Sequence, residues 1–145
     1  MSIIDLFESF AADFELTVVD DEWSRLEKYF AEDATYLNVG AGEAKCIGRA
    51  AILAYLKADV ASVDQRFDSR MHIALTEPSV EGDRLSRNWS CTYTLAGCDE
   101  LVVEGEARYL FEGDLIKEME EEPTTESMQK VEAWMSKYGE RLQSQ

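Results

Sequence analysis

The chain has 145 residues, with 30 acidic against 14 basic side chains and a net charge of -16. That length fits one domain, residues 1–145, and 46% hydrophobic with 30% charged residues is the composition of a folded chain rather than a disordered one. Such acidity excludes nucleic acid and anionic membrane surfaces as expected partners, because both repel it and the basic residues form no stripe.

The first predicted element is a helix. Ser2 and Asp5 resemble a capping box, and Ile3, Leu6, Phe7, Phe10 and Phe14 recur at helical spacing. The same opening, MSIIDLFESF, lacks a basic leader and is broken by Asp5 and Glu8, so it does not read as a secretory segment. No apolar run approaches the roughly 20 residues that span a bilayer, and a cytoplasmic, reduced location is expected.

Asp20 or Asp21 can cap a second helix whose apolar face is Trp23, Leu26 and Phe30. The stretch YFAEDATYLNVGAG then passes from the end of that helix into an alternating strand, with Tyr36 and Asn38 on one face. A glycine-bearing loop runs from Gly40 to Gly48. Its Gly40, Gly42 and Gly48 do not complete a dinucleotide-binding GxGxxG, because Lys45 stands where the last glycine belongs. A third helix follows with Ile52, Tyr55, Leu56 and Val60 on one side.

From Phe67 the period switches to two. RMHIALTEPSV, RLSRNWSCTYTL, LVVEGEARYLF and LIKEMEEE read as strands joined by turns at Glu81-Gly82-Asp83, Ala96 to Asp99 and Glu112-Gly113-Asp114. In the last strand the spacing sets Ile116, Glu118 and Glu120 on one face. Pro123 stops it, and Met128, Val131, Trp134, Met135, Tyr138 and Leu142 form the apolar face of a closing helix over 125–142. Helices followed by an antiparallel meander indicate an α+β fold in which a strongly curved antiparallel sheet wraps around N-terminal helices as a cone, with an extra C-terminal helix. The interior of such a cone is a natural pocket for a small molecule.

Tyr36, Asn38 and His72 are the candidate catalytic residues. A phenol and an amide two apart on a strand can orient a carbonyl, a hydroxyl or a water. His72, the only histidine, carries the one side chain whose unperturbed pKa lies near neutrality. Phe14, Trp23, Tyr55, Trp89 and Tyr109 are the candidate substrate-binding aromatics, and Glu120 is a candidate carboxylate at the pocket mouth. The cysteines Cys46, Cys91 and Cys98 have no CxxC spacing, so with one histidine no metal site is expected, and no cofactor is expected either. No GxSxG elbow is present.

The order of elements resembles the nuclear transport factor 2-like superfamily, especially its SnoaL-like and ketosteroid isomerase-like members. The resembling residues are Trp23-x-x-Leu26-x-x-x-Phe30, Ala31-Glu32-Asp33-Ala34-Thr35, Gly48-Arg49-x-x-Ile52 and the ending EARYLFEGDLI. The resemblance implies the cone-shaped fold, a deep pocket and a homodimer joined through the outer sheet face. Residue by residue it is incomplete. The isomerases' proton-shuttling aspartate falls on Asn38, their oxyanion-hole tyrosine on Phe14 and their protonated aspartate on Ala107, which removes that mechanism's donors and base. The limonene epoxide hydrolases share YFAED and Tyr36-x-Asn38, a pair that helps hold a water. An ungapped reading puts their middle-strand Arg and Asp on Asn88 and Ser90, with Glu120 approximating the remaining acid. The scytalone dehydratase-like members match at Tyr36 and His72, while their first-helix aspartate falls near Leu16.

These readings imply a cofactor-independent enzyme acting on a small, largely apolar molecule by proton transfer or water addition. A non-catalytic binding protein or a protein-interaction dimer of the same fold is the alternative.

Overall fold

In the computed structural model, which describes residues 1–40 and 43–144, the Ser2 hydroxyl accepts a hydrogen bond from the Asp5 backbone N–H at 3.1 Å. This caps helix α1, Ile3–Asp20, whose buried face carries Phe7 and Phe10. Asp21 ends the helix in the left-handed conformation, at φ 64°. The expected second α-helix is instead a 3-10 helix, Trp23–Tyr29. Its buried residues, Trp23, Leu26 and Tyr29, recur every three positions, which is the 3-10 period rather than the α period. Phe30 therefore opens strand β1, Phe30–Asn38, instead of closing a helix.

The glycine-bearing loop contains a short strand, β2 (Ala44–Ile47), antiparallel to β1; Gly42 lies outside the described residues. Helix α2, Arg49–Ser62, buries Ile52, Leu53, Leu56 and Val60. The single strand expected over 70–80 is two, β3 (Ser69–Ala74) and β4 (Ser79–Glu81), both antiparallel to β5 (Arg84–Thr94). Pro78, which has no N–H for a ladder, lies in the break. β6 (Leu101–Glu112), β7 (Leu115–Pro123) and helix α3 (Thr125–Gln143) complete the chain.

The sheet order is β2-β1-β7-β6-β5-β3, with β4 also on β5, and the sheet is not closed. It is mixed rather than wholly antiparallel, because β1 runs parallel to β7. Parallel neighbours need a long crossover, and everything between β1 and β7 supplies it.

The helices α1, α2 and α3 pack on one face of the sheet. From α1, Phe7 and Phe10 meet Tyr109 at ring distances of 5.1 and 6.0 Å; from α2, Tyr55 meets Tyr36 at 5.4 Å. From α3, Trp134 meets Phe67 at 5.1 Å, and Phe67 meets Tyr93 at 4.8 Å. The indole N–H of Trp134 donates to the Asp99 carbonyl at 2.8 Å, fixing α3 to the β5–β6 turn.

One irregularity in β7 governs the site. Phe111 pairs with Ile116, but Leu110 pairs with Glu118, so Lys117 is an extra residue, a β-bulge. The alternation is reset there. Ile116 and Met119 are both buried on the helix side, and from Glu118 onward the phase is opposite to the unbulged expectation.

Candidate functional site

Between the sheet and helices α1 and α2 lies a cavity of about 420 Å³, a size typical of small-molecule sites. On the helix side its walls carry Phe7, Phe10, Phe14, Leu56 and Val60 with the acids Glu15 and Asp59 among them, and on the strand side they are mixed. Strand alternation explains which strand residues arrive: Tyr36 and Asn38 from β1, Arg70 and His72 from β3, Arg87 through Tyr93 by twos from β5, Ala107 and Tyr109 from β6, Met119 and Glu121 from β7.

Cross-strand register sets four of these in one line. Asn38 pairs with Glu121, Glu121 with Ala107, and Ala107 with Arg87. The small side chain of Ala107 therefore stands between a carboxyl and a guanidinium. Burial pushes the Glu121 carboxyl up to about 7, helped by the negative charges of Asp59 and Asp64 and opposed by Arg70 and Arg87. A carboxyl poised near neutrality can both take and return a proton.

The three predicted catalytic residues all reach this cavity. Asn38 donates through its amide to the Tyr55 hydroxyl at 3.3 Å, which leaves the amide oxygen as the acceptor end. The Tyr36 phenol is held protonated far above its ordinary range, chiefly by burial. His72 stacks on Trp89 at 6.0 Å. Burial lowers its pKa, Glu15 opposes this, and Arg70 and Arg87 reinforce it, so the imidazole is neutral at pH 7. Phe14, Trp89 and Tyr109 also line the wall.

Three predicted residues do not. Trp23 stands behind Phe14, edge-on at 6.0 Å, with its N–H on Asp21 at 2.7 Å. Tyr55 supports Asn38 and Tyr36 from outside the wall. Glu120 faces the opposite side of the sheet, where it accepts from Arg108 at 3.1 Å. The bulge at Lys117 is the reason, since it exchanges the faces of Glu120 and Glu121.

The same correction applies to the middle strand. The side chains of β5 that face the cavity are Arg87 and Trp89, whereas Asn88 and Ser90 are not on its wall. An arginine thus occupies the cavity one residue before the ungapped reading put it, and a tryptophan follows where an acid would be. Leu16 is exposed, and Glu15, one position earlier, is the α1 carboxylate on the wall. Glu15 belongs to a polar network in which Arg70 binds Glu15 and Asp64 at 2.5 Å each and Tyr93 donates to Asp64 at 3.2 Å. Burial opposes the charge of Arg70, but these acceptors outweigh it and keep the guanidinium cationic.

The residues missed from sequence are Glu121, Arg87, Arg70, Glu15, Asp59 and Asp64. Arg87 had a signal: it stands in the apolar phase of its strand, between Leu85 and Trp89. Cys91, also on the wall, has its thiol pushed up by burial and is no nucleophile at neutral pH. Among the described residues, no group of three or more His, Cys, Asp or Glu side chains could hold a metal ion.

The model of the SnoaL-like domain family matches residues 7–119. No curated protein matches the chain. Several solved structures share its fold. TerC, co-crystallised with polyporic acid, superposes with a TM-score of 0.65 at 16% identity, covering 88% of this chain and 95% of that one. An NTF2-like protein of unknown function from Cytophaga hutchinsonii gives 0.64 at 15% identity, covering 85% and 100%. A hypothetical protein with a ketosteroid isomerase-like fold from Catenulispora acidiphila, in complex with trimethylamine, gives 0.61 at 17% identity, covering 82% and 88%.

Proposed function

The chain belongs to the SnoaL-like domain family, and we propose that its cavity is the active site of a cofactor-independent enzyme that moves a proton on a small, largely apolar molecule. The observation that carries this reading is the row Asn38–Glu121–Ala107–Arg87 across four strands. Glu121 is the general base. Its carboxylate takes a proton from an acidic carbon beside a carbonyl, or from a water held by Asn38 and Tyr36, and the resulting acid returns it to product. Tyr36 and neutral His72 donate hydrogen bonds that orient the reacting oxygen, and Phe14, Trp89 and Tyr109 hold the apolar frame. The acid missing at Asn38 for the isomerase mechanism is thus supplied from the neighbouring strand.

Exchange of the α-protons of 2-tetralone in deuterated water, followed by proton NMR, tests the reading. The wild-type chain is expected to accelerate exchange and Glu121→Gln to lose about 10²–10⁴-fold of that acceleration. Acceleration untouched by the substitution would overturn the assignment.

A homodimer through the outer sheet face is part of the proposal. It rests on Met71, Ile73 and Leu75 of the β3 region, exposed by 65%, 49% and 47% on the side away from the cavity. Sedimentation at micromolar concentration is expected to give a dimer, and a monomer would refute it. A cytoplasmic location is proposed as well; no helix among the described residues is long and apolar enough to cross a membrane.

A further inference from the structure

Two phenols stand on the sheet wall of the cavity, in the row next to the one that carries Glu121. Tyr36 on β1 pairs with Met119 on β7, and Met119 with Tyr109 on β6. All three line the cavity, two residues along their strands from Asn38, Glu121 and Ala107 and on the same face. With neighbouring strands about 4.8 Å apart, the two tyrosines are roughly 10 Å apart at the backbone, one on each side of Met119. Packing fixes their rings: Tyr109 lies against Phe7 at 5.1 Å and Phe10 at 6.0 Å, and Tyr36 against Tyr55 at 5.4 Å. Neither hydroxyl has a hydrogen-bond partner among the described residues, although the side chains are only 2% and 5% exposed. Neither is sealed either. Among the described residues, the partnerless buried side-chain atoms without accessible surface are Arg66 Nε, Arg87 Nε and Trp89 Nε1. Both phenol oxygens therefore keep open surface, and for side chains so buried on this wall that surface is the cavity's. Buried donors are nearly always satisfied, so the missing acceptor has to come from what the cavity holds. Burial holds both phenols protonated far above their ordinary range, reinforced at each by the Glu121 carboxyl and at Tyr36 also by Tyr109. The three groups are thus within electrostatic reach of one another.

We propose that the Tyr36 and Tyr109 hydroxyls form a two-donor subsite over Met119 for one neutral oxygen of the ligand, the carbonyl of a ketone or aldehyde. Tyr109 then does more than hold the apolar frame, and the ligand acquires a direction. Its carbonyl lies between the phenols, its α-carbon points to Glu121 one row away, and its apolar body lies against Phe7, Phe10 and Phe14. A neutral oxygen fits this row better than a carboxylate, which would bring a further negative charge beside Glu121 and Asp59. The subsite names the substrate class of the proposed reaction and rests on that reading for its catalytic use. There, Glu121 takes the α-proton and the electron pair of the broken C–H bond moves onto the carbonyl oxygen. The two phenols donate to that oxyanion and keep their own protons.

Two measurements at pH 7 test the subsite: calorimetric titration with 2-tetralone, the hydrocarbon tetralin and 2-naphthoate, and the infrared carbonyl stretch of bound 2-tetralone. The ketone is expected to bind more tightly than either other probe. Tyr36→Phe and Tyr109→Phe should each weaken it about threefold or more and leave tetralin unaltered. The bound carbonyl stretch should lie below its position in hexane, and each substitution should move it back toward that position. Tyr109→Phe should also lose about 10²-fold of the acceleration of proton exchange. Because neither hydroxyl bonds within the protein, both variants should melt no lower than the wild-type chain. Glu121→Gln should keep ketone binding and the shifted stretch while losing exchange, which separates failure of the base from failure of this subsite. Affinity and carbonyl stretch indifferent to Tyr109→Phe overturn the proposal, and a lowered melting temperature beside them would make that hydroxyl structural. Tighter binding of 2-naphthoate than of 2-tetralone, which Arg87 on the same wall would favour, overturns the ligand class without any variant.

Discussion

The two faces of the sheet across strands β5 to β7 carry the same residue types and treat them oppositely. On the outer face Arg108 donates to Glu106, Glu120 and Glu122 at 2.6 to 3.1 Å, in a partly solvated cluster. On the inner face Glu121 and Arg87 stand in one row with Ala107 between them, and Arg87 has no ionic partner among the described residues. Three consecutive glutamates, 120 to 122, thus occupy two dielectric worlds. The outer pair accept charge-assisted hydrogen bonds from Arg108, and the inner one has its carboxyl pushed up by burial to about 7. Reactivity here follows from which side of a sheet a residue faces, not from its type.

The comparison breaks first at turnover. If the faces differ as described, Glu121→Gln removes about 10²–10⁴-fold of activity and Glu120→Gln leaves it unchanged; equal losses would show that the faces are not chemically distinct. Stability gives the next largest effect. Burial pushes the Glu121 carboxyl up to about 7 from its ordinary 4.5, so between those values the folded state holds a proton that the unfolded state has lost. Stability must then fall as pH rises through that window, by roughly 3 kcal/mol in total. Urea unfolding at pH 5 and pH 8 should show this fall in the wild-type chain and its absence in Glu121→Gln. A slope that persists in the variant would place the titrating group elsewhere. The smallest effect belongs to the outer face. Arg108→Met should cost at most about 1 kcal/mol in the same assay, since exposed ion pairs contribute little. A much larger loss would mean that the outer cluster is covered, as a tight dimer would cover it.

Most of the architecture is legible in the sequence because it rests on period. The apolar spacing of α1 and α3, the glycine turns flanking β6 and the alternation of β5 and β6 all correspond to elements at those positions. Tyr36, Asn38 and His72 were legible as pocket residues for the same reason. What escaped depended on events without a periodic signature. A three-residue repeat at Trp23, Leu26 and Tyr29 passed for an α-helix. The short edge strand β2 hid in a loop, and the parallel pairing of β1 with β7 joins residues far apart in the chain. Glu121 is hidden by a single inserted residue, and Arg87 by being a charge in the apolar phase of its strand.

The bulge at Lys117 also has a consequence for how such a site can arise. Lys117 is anchored outward by an ion pair to Asp33. Were residue 117 to enter the ladder as an ordinary paired residue, every side chain beyond it would change faces and Glu121 would turn away from the cavity; were it deleted, the present pairs would remain and Glu121 would keep its place. A register slip that took Lys117 into the ladder would then exchange the whole chemical lining of β7 beyond it, with no change of sequence. In a lineage of such chains, gain or loss of the acid at the cavity need not involve a substitution of Glu121; it can be a matter of register.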